Sequence, residues 1–382
     1  MLSLYLLASA VMLAPPEPTF HDVFNAKTDD FISIRIPSIV CTSKGTLLAF
    51  AEGRSAPRDH AKNKIVMKRS DTGGRKWSDL LLVADAGDRS LNNPCAVVDR
   101  SNGRILLVFQ MFPANVSERS KEIVPGVTGE SIVKTMIMTS DDDGMTWTKP
   151  RDITAETKRP EKVTTVASGP GIGIQLRHGP HAGRILIPFN EGPYGIWNIY
   201  CAYSDDHSEH WKMGEIAPGG MIEVKGKPAS TVNEAQIVEL ADGKVRWNVR
   251  RWNEPKLRKT GISSDGGQTW SKVEEVKEQI DPSCMASILR YSDPADGRKN
   301  RILFSGPQST KREKGTLFLS RDDGKTWPVS KQFVPGFFAY SCLVALPDGT
   351  IGCLYENEAN TRISFARISL DWLTDGQDSY ER

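Results

Sequence analysis

One eight-residue pattern, Ser-x-Asp-x-Gly-x-Thr-Trp, occurs five times along the chain, either intact or with two substitutions. The copies begin at Ser70, Ser140, Ser204, Ser263 and Ser320 and end at Trp77, Trp147, Trp211, Trp270 and Trp327, so that successive copies are 57 to 70 positions apart. A motif that returns at this interval indicates a repeat architecture, in which each copy marks one structural unit packed against its neighbours.

Short β-forming runs fill the sequence between the repeats. They are bounded by Gly, Asp, Asn and Pro, and long helical periodicity is absent, which is typical of strands joined by turns. The runs cover residues 34–40, 46–51, 64–68, 104–109, 131–139, 184–189, 199–203, 235–240, 301–304, 316–320, 341–346 and 351–355.

Units of about 60 residues with this content predict an all-β fold, a six-bladed β-propeller of four-stranded antiparallel blades. Residues 17–382 divide into six such units, and we expect them to form a single domain. Five units carry the motif. The sixth would be closed by pairing of the N-terminal and C-terminal strands.

Each copy of the motif suits a tight turn between two strands. The Asp can accept hydrogen bonds from turn amides, the Gly supplies a positive φ, and the Trp packs beneath the loop. Two copies are altered: Thr72 and Lys76 replace the Asp and Thr of the first, and Ser208 and His210 replace the Gly and Thr of the third. Such substitution is typical of a structural turn, so we predict that function lies in residues that are not repeated.

Charge and composition exclude several classes of protein. The chain has 49 Lys and Arg against 47 Asp and Glu, with no block of like charge. This argues against nucleic acid as a partner, because duplex binding needs a clustered basic surface. None of the six cysteines has the spacing of a zinc site, so we expect buried free thiols and no metal or other cofactor. A Cys342–Cys353 bridge stays open as an alternative.

The N-terminal segment, residues 1–16, carries no charged side chain and contains an apolar run from Leu2 to Ala14. This run is shorter than the roughly 20 residues that a bilayer span needs. Small residues such as Ala8 and Ala10 favour a cleaved secretory signal, although the usual basic residues before the apolar run are missing. We therefore predict a secreted or periplasmic protein with no stable membrane span. The alternative is an unstructured or strand-like terminus.

Several unrepeated motifs stand out, because loops from distant parts of a propeller converge at one end of its axis. Taken singly, each Arg or Asp among them is explained equally well as a solvated surface or loop residue, Glu234 as the cap of a turn, and Tyr340 as part of the core. The motifs are Arg35-Ile36-Pro37, Glu52-Gly53-Arg54 followed by Asp59-His60, Asn233-Glu234-Ala235-Gln236, Asn248-Val249-Arg250, Arg312, and Tyr340-Ser341 with Leu354-Tyr355-Glu356.

In this order, the motifs resemble the exo-α-sialidase (neuraminidase) family of bacterial and animal type, in which the repeated octapeptide is called the Asp box or BNR repeat. Gly169-Pro170-Gly171 and Ile174-Gln175-Leu176 also fall in the family's order. The similarity runs from residue 34 to residue 356. The resemblance implies a six-bladed propeller, in agreement with the count of repeats.

The resemblance also implies which residues bind the substrate. Arg35, Arg250 and Arg312 resemble the arginine triad that holds the sialic acid carboxylate, and Arg54 resembles an additional arginine near the acid/base. Guanidinium groups suit this task because they bind a carboxylate through two hydrogen bonds and stay charged at any working pH.

Three further residues resemble the catalytic set: Asp59 the acid/base, Tyr340 the nucleophile and Glu234 its partner. Sialic acid carries a carboxylate on the anomeric carbon, which would repel an Asp or Glu nucleophile, whereas a phenol is neutral until it reacts. Glu234 would take the phenol proton. Asp59 would protonate the leaving oxygen and then deprotonate water. The implied outcome is retention of configuration through a covalent sialyl-tyrosine intermediate.

The resemblance suggests further pocket residues, for which core packing or loop structure is an equally good explanation. Asn92, Asn93, Met111 and Phe112 would face the N-acetyl group, and Asn190, Glu191 and Tyr194 the glycerol tail. One departure from the family pattern is Cys342, where many relatives have Asp after the Tyr-Ser pair.

The predicted function is hydrolysis of terminal sialic acids from oligosaccharides, glycoproteins or glycolipids by a minimal catalytic unit with no lectin-like domain. The alternatives are a propeller that binds glycans or a protein without catalysis, a hydrolase for a related nonulosonic acid, and a trans-sialidase. The enzyme hypothesis requires that Arg35, Arg250 and Arg312 converge. It also requires Tyr340 and Glu234 to lie within hydrogen-bonding distance.

Overall fold

The computed structural model describes residues 14–252 and 256–380. The predicted signal segment lies outside these residues apart from its last three positions. In the described part, α-helix is confined to α1 (Thr154–Thr157) and α2 (Leu370–Leu373), with 3-10 turns at Gly179–His181, Pro294–Asp296 and Glu358–Asn360. No helix in this part has the length and apolar character needed to cross a bilayer.

Strands make up nearly all the regular structure. Those of the first half are β1 (Thr19–Asn25), β2 (Ser33–Cys41), β3 (Leu47–Arg54), β4 (Lys64–Ser70), β5 (Leu81–Ala84), β6 (Ser90–Val98), β7 (Ile105–Phe112), β8 (Lys134–Ser140), β9 (Arg151–Asp152), β10 (Thr165–Ser168), β11 (Gly171–Ile172), β12 (Ile174–Gln175), β13 (Ile185–Gly192), β14 (Asn198–Ser204) and β15 (Lys212–Met213). Those of the second half are β16 (Met221–Val224), β17 (Lys227–Ser230), β18 (Val232–Glu239), β19 (Val245–Arg251), β20 (Lys256–Thr260), β21 (Ile262–Ser263), β22 (Glu274–Asp281), β23 (Ser287–Ser292), β24 (Arg301–Pro307), β25 (Glu313–Ser320), β26 (Val329–Phe337), β27 (Ser341–Ala345), β28 (Ile351–Asn357) and β29 (Arg362–Ile368).

Six sheets form the blades of a propeller. Blade 1 contains β2–β5, blade 2 β6–β9, blade 3 β10 and β12–β15, blade 4 β18–β22, blade 5 β23–β26, and blade 6 β27–β29 with β1. The innermost strands lie side by side around the axis, with β2 next to both β6 and β27. The predicted all-β, six-bladed propeller is confirmed. The hairpin β16–β17 forms a separate two-stranded sheet between blades 3 and 4.

The N-terminal strand closes the ring. Strand β1 pairs antiparallel with β29, and Phe20 lies opposite Ala366. Blade 6 therefore contains strands from both ends of the described chain, as the repeat count predicted. Closure of this kind pairs a sheet edge that would otherwise be exposed.

Blade 2 gains a fifth strand, a refinement of the predicted four-stranded antiparallel blades. The chain kinks between β10 and β12 at Gly169 and Gly171, whose φ angles are 51° and 115°, a region that favours glycine. The short strand β11 lies between β10 and β12 in the chain and pairs in parallel with β6. The Gln236 side chain holds the kink by donating to the carbonyl oxygens of Pro170 at 2.9 Å and Ile172 at 3.2 Å.

The Asp boxes are turns held by their own side chains. In the second copy, the Ser140 hydroxyl accepts a hydrogen bond from the Gly144 amide at 2.9 Å, and Asp142 accepts one from the Thr146 amide at 2.8 Å. In the first copy the Thr72 hydroxyl takes the place of the Asp and accepts from the Lys76 amide at 2.8 Å. A hydroxyl can make the same bond, which explains why this substitution is tolerated.

The Asp boxes also pack each blade against the blade before it. Gly144 of blade 2 has a φ of 77°, and a Cβ there would lie 2.8 Å from Leu48 of β3 in blade 1. Trp147 meets Phe50 of the same strand edge to face, with ring centroids 5.7 Å apart. The repeat therefore serves the contact between blades, as the scaffold prediction requires.

The register of blade 1 separates two ends of the propeller. Leu47 pairs with Ser70, where the first Asp box begins, and Arg35 pairs with Glu52 at the other end of the same sheet. We call these the turn end and the pocket end. Repeated and unrepeated motifs thus lie at opposite ends of the blade.

All six cysteines are free, as predicted. Cys342 lies opposite Leu354, and Cys353 lies opposite Leu343. Because neighbouring positions on a strand face opposite sides of the sheet, Cys342 and Cys353 point away from each other and cannot form the bridge that stayed open.

Candidate active site

A cavity of about 340 Å³ opens at the pocket end of the axis. Residues from all six blades line it, and they include the predicted catalytic set, the four arginines and two asparagines: Arg35, Arg54, Asp59, Asn92, Asn190, Glu234, Arg250, Arg312 and Tyr340. The fold therefore brings together side chains that are spread over most of the sequence.

A larger cavity, of about 500 Å³, lies at the turn end. Its walls include the apolar residues Ile39, Ile237 and Leu343. At its rim, Arg177 is already paired with Asp296 at 2.6 Å. Converging charged groups are a better guide to chemistry than volume, so the smaller cavity is the candidate site.

Bulges in the innermost strands turn side chains toward the cavity. The register of β2 shifts between Arg35 and Ser38, and that of β18 between Val232 and Ala235, the segment that carries Glu234. Bulges are common beside active sites because they bend the strand and redirect its side chains. Here they place Arg35 and Glu234 at the cavity.

A tyrosine and a glutamate from different blades form a close pair in the cavity. The Tyr340 hydroxyl donates to the Glu234 carboxylate, with distances of 2.5 and 2.8 Å to its two oxygens. Arg250 donates from Nη1 to the Tyr340 hydroxyl at 2.8 Å and to Glu234 at 2.5 Å. Tyr340 and Glu234 are only 4% and 8% exposed, so these charges interact with little screening.

Arg35 is held rigidly by a buried carboxylate. Its Nε and Nη2 donate to the two oxygens of Glu356 at 3.0 and 3.2 Å, and Glu356 also accepts from the Ile36 amide at 2.9 Å. Glu356 belongs to one of the unrepeated motifs, but its role was not predicted from the sequence. The structure identifies it as the group that orients Arg35.

Two guanidiniums lie over the Tyr340 ring. Arg35 is 5.0 Å and Arg312 5.4 Å from the ring centroid. Arg312 is anchored by donating to the Ser283 carbonyl oxygen at 3.1 Å. Arg35, Arg250 and Arg312 thus converge on Tyr340 from blades 1, 4 and 5.

Asp59 lies beside the arginines of blade 1. Its Oδ1 accepts from Arg54 Nη1 at 2.8 Å and from Arg35 Nη1 at 3.4 Å. The Asp59 side chain is 63% exposed, whereas Arg54 is fully buried. A carboxylate at the mouth of the cavity can therefore exchange protons with solvent and still face a bound ligand.

The environment keeps Tyr340 protonated. Burial raises the pKa of Tyr340 well above its ordinary value, and Glu234 raises it further. Arg250 and Arg312 lower it without reversing the shift. The group in the cavity is a neutral phenol that donates its proton to Glu234.

The environment keeps Asp59 ionised. Burial raises its pKa, but the Arg54 and Arg35 guanidiniums outweigh burial and hold the pKa below its ordinary value. For Arg250 burial acts in the opposite direction and lowers the pKa. The negative charge of Glu234 and the Tyr340 hydroxyl outweigh burial and raise the pKa of Arg250 above its ordinary value. Arg250 therefore stays charged in the cavity.

The blade 2 side of the cavity is polar with one aromatic contact. Asn92 Nδ2 donates to the Asp59 carbonyl oxygen at 2.8 Å. His60 lies 3.4 Å from Asn92 Oδ1 and stacks on Phe112 with ring centroids 3.9 Å apart. Burial lowers the pKa of His60 to about 4, so the ring is neutral at neutral pH. Asn93 and Phe112 line the cavity as expected.

Two of the further predicted residues do not reach the cavity. Met111 packs against the hydrophobic core, and Glu191 pairs with Arg159 at 2.7 Å. Each alternates with a neighbour, Phe112 or Asn190, that does line the cavity. Successive residues of a strand face opposite sides, so the pair cannot both point inward.

An aromatic group on the blade 3 and blade 4 side was mostly missed. Tyr194, the one predicted member, packs edge to face with Trp197 and Trp252, at centroid distances of 5.9 and 6.0 Å. A signal was available: of nine tryptophans, five end Asp boxes, and Trp197 and Trp252 are two of the other four.

A loop between β7 and β8 adds two charged residues, Glu118 and Arg119, to the cavity. Burial and the neighbouring carboxylates of Asp59 and Glu234 raise the pKa of Glu118 to about 7. The loop has no sequence pattern that would have pointed to these residues.

Comparison with known proteins tests the family resemblance independently of the structure. The model of the BNR repeat-like domain matches residues 45–353. The chain is 35% identical over 382 residues to a sialidase of Micromonospora viridifaciens, covering 96% of this chain and 57% of that protein. It is 28% identical over 368 residues to a sialidase of Bacteroides fragilis, covering 91% of this chain and 64% of that protein. It thus spans less than two thirds of either relative.

The solved structure of a Hadza microbial sialidase superposes with a TM-score of 0.81 at 26% identity, covering 93% of this chain and 69% of that one. The family match includes all five Asp boxes, from Ser70 to Trp327. The chain therefore belongs to the sialidase family with BNR, or Asp-box, repeats.

Proposed function

We propose that residues 17–382 act as a single exo-α-sialidase domain, which hydrolyses terminal sialic acids from glycoconjugates with retention through a covalent sialyl-tyrosine. The observation that carries this proposal is the convergence of three guanidiniums on the Tyr340–Glu234 pair, with Asp59 beside Arg35. Three converging guanidiniums fit a ligand that carries a carboxylate beside the reacting carbon.

In the proposed complex, Arg35, Arg250 and Arg312 bind the sialic acid carboxylate. Three permanently charged groups, one already oriented by Glu356, fix the anomeric carbon next to the Tyr340 oxygen. Such positioning lowers the entropic part of the barrier. Asn92 and Asn190 would contact the N-acyl group and the glycerol tail.

In the first step the Tyr340 oxygen forms a bond to the anomeric carbon as the glycosidic bond breaks. The phenol proton passes to Glu234, which lies 2.5 Å away. The leaving oxygen takes a proton from Asp59. In the second step Asp59 removes a proton from water, and the water oxygen bonds to the anomeric carbon as the bond between that carbon and the Tyr340 oxygen breaks. The released phenolate regains its proton from Glu234.

The low pKa of Asp59 in the free protein is consistent with this scheme once the substrate charge is included. Arg35 contacts Asp59 at 3.4 Å and would also bind the substrate carboxylate. A second negative charge on the same guanidinium raises the proton affinity of Asp59. Substrate binding would thereby load the acid with the proton that it needs.

The test is release of free sialic acid from sialyllactose by the purified protein. We expect turnover by the native protein and strong loss in Tyr340→Phe and Asp59→Asn. NMR should detect the retained anomer as the first product. Binding of sialyllactose without release would favour a non-catalytic propeller, and undiminished activity in both variants would overturn the mechanism.

We also propose that the protein is secreted or periplasmic and meets sialylated oligosaccharides, glycoproteins or glycolipids there. The apolar run Leu2 to Ala14 supports export. Expression with and without residues 1–16, followed by fractionation, tests it: equal retention of both forms inside the cell would contradict export.

A further inference from the structure

Glu52 is a buried carboxylate at the pocket end of β3 that the proposed reaction does not use. It is 0% exposed and precedes Arg54 by two positions, so both side chains lie on the same face of the strand. A buried charge of this kind persists only where several donors compensate it.

Both oxygens of Glu52 accept hydrogen bonds. Oε2 accepts from Arg54 Nε at 2.8 Å and from Asn63 Nδ2 at 3.1 Å. Oε1 accepts from the Asn93 amide at 2.7 Å and from Asn92 Nδ2 at 3.4 Å. Glu52 is thus the centre of a network that joins blade 1 to blade 2.

The same donors hold Asp59. Arg54 Nη1 donates to its carboxylate at 2.8 Å, while Asn63 Nδ2 and Asn92 Nδ2 donate to its backbone carbonyl oxygen at 2.6 and 2.8 Å. Three of the side chains that contact Asp59 are therefore fixed by Glu52, although Glu52 does not touch Asp59 itself.

We propose that Glu52 is a positioning residue for Asp59: its buried carboxylate fixes Arg54, Asn63 and Asn92, and these fix the orientation of the acid/base. This role rests on the proposed sialidase function. It predicts that loss of the Glu52 charge harms the step in which Asp59 protonates the leaving group more than it harms binding or attack by Tyr340.

A glutamine cannot replace Glu52 in this network. Every neighbour of its carboxylate is a donor, so one end of a Gln side chain would set an NH₂ against another N–H. Arg54 would also lose one of its two carboxylate partners and bind Asp59 more strongly, which favours the ionised form of the acid.

The experiment compares two leaving groups in Glu52→Gln. With sialyllactose, whose leaving oxygen needs a proton, kcat/KM should fall about 30-fold or more, a part of the roughly 10²–10⁴-fold that a positioned acid supplies. With 4-nitrophenyl sialoside, whose leaving group departs without a proton, the fall should be about 3-fold or less. The basic limb of the sialyllactose pH profile should move to lower pH.

Glu239→Gln is the matched control. Glu239 is also buried, lies at the turn end of β18 and accepts from the amides of Arg177 and His178 at 2.8 and 2.9 Å. Glu239→Gln should leave the ratio of the kcat/KM values for the two substrates unchanged. Glu52→Asp, which keeps the charge, should recover part of the sialyllactose activity.

Equal losses on both substrates in Glu52→Gln would overturn the positioning role while leaving the sialidase function intact. If the native protein releases no sialic acid from either substrate, the function fails and the role fails with it. If Glu52→Gln does not fold, Asn63→Ala tests the same network. This variant keeps the Glu52 charge and removes one hydrogen bond to the Asp59 backbone. The loss of kcat/KM should again be larger for sialyllactose than for 4-nitrophenyl sialoside, by a smaller factor.

Discussion

The two ends of the propeller are built by different kinds of contact. At the turn end the bonds are local: Ser140 binds Gly144 and Asp142 binds Thr146, four residues away in each case. At the pocket end they are distant: Tyr340 meets Glu234 across 106 positions, and Arg35 meets Glu356 across 321. Local contacts can recur as a motif, whereas the distant ones exist only after the ring closes.

The largest difference between the two ends is expected from Tyr340→Phe, which should abolish most of the activity and leave the fold intact. Removing the hydroxyl removes the proposed nucleophile, and kcat should fall by about 10³-fold or more. Arg250 still pairs with Glu234 at 2.5 Å, so the fold should survive. The measurements are turnover of sialyllactose and thermal unfolding. An unfolded variant would mean that the pocket end also carries the stability of the fold.

The second comparison replaces one arginine by lysine at each end of the propeller. Arg312→Lys keeps the charge but loses the forked guanidinium, so kcat/KM should fall by about 10- to 100-fold, chiefly through KM. Arg184 at the turn end binds both oxygens of Asp205, at 2.7 and 3.1 Å, and Arg184→Lys is the matched control. It should leave KM unchanged. Equal rises in KM would contradict the assignment of Arg312 to the carboxylate.

The converse experiment disturbs the turn end alone. The Ser320 hydroxyl is buried and accepts from the Gly324 amide at 2.8 Å. Ser320→Ala leaves that amide without its partner, which should lower the free energy of unfolding by about 1–3 kcal/mol. Urea denaturation measures this loss. The folded variant should keep its kcat/KM, and a large kinetic defect would show that the two ends are coupled.

The smallest effect concerns pH. Hydrogen bonds from the Thr146 side chain and amide lower the pKa of Asp142 to about 2. A lowered carboxyl pKa stabilises the fold above the ordinary value near 4, and this stabilisation is lost as pH falls from about 4 toward 2. Asp142→Asn should therefore lower Tm at pH 6 and have less effect at pH 2.

Thr72→Val provides the comparison, because a hydroxyl does not titrate in this range. Its effect on Tm should be similar at both pH values, since Thr72 accepts from the Lys76 amide in either condition. A constant difference between the native protein and Asp142→Asn across pH would rule out ionisation of the Asp box as a source of stability.

The sequence alone determined the number of blades and the closure of the ring. Repeat spacing, β-forming runs and turn residues act through near neighbours, so they could be read from the chain without knowing the fold. Family resemblance then pointed to nine residues, from Arg35 to Tyr340, that the structure brings to one cavity.

Only the tertiary structure decided what surrounds those residues. The contacts of Glu52, Asn63 and Trp252 could not be read from the sequence, because their partners lie on other strands or loops and depend on the bulges and on the packing of neighbouring blades. The neutral phenol of Tyr340 and the ionised Asp59 likewise follow from burial and from guanidiniums contributed by other strands. Those are properties of the folded ring, which no local stretch of sequence contains.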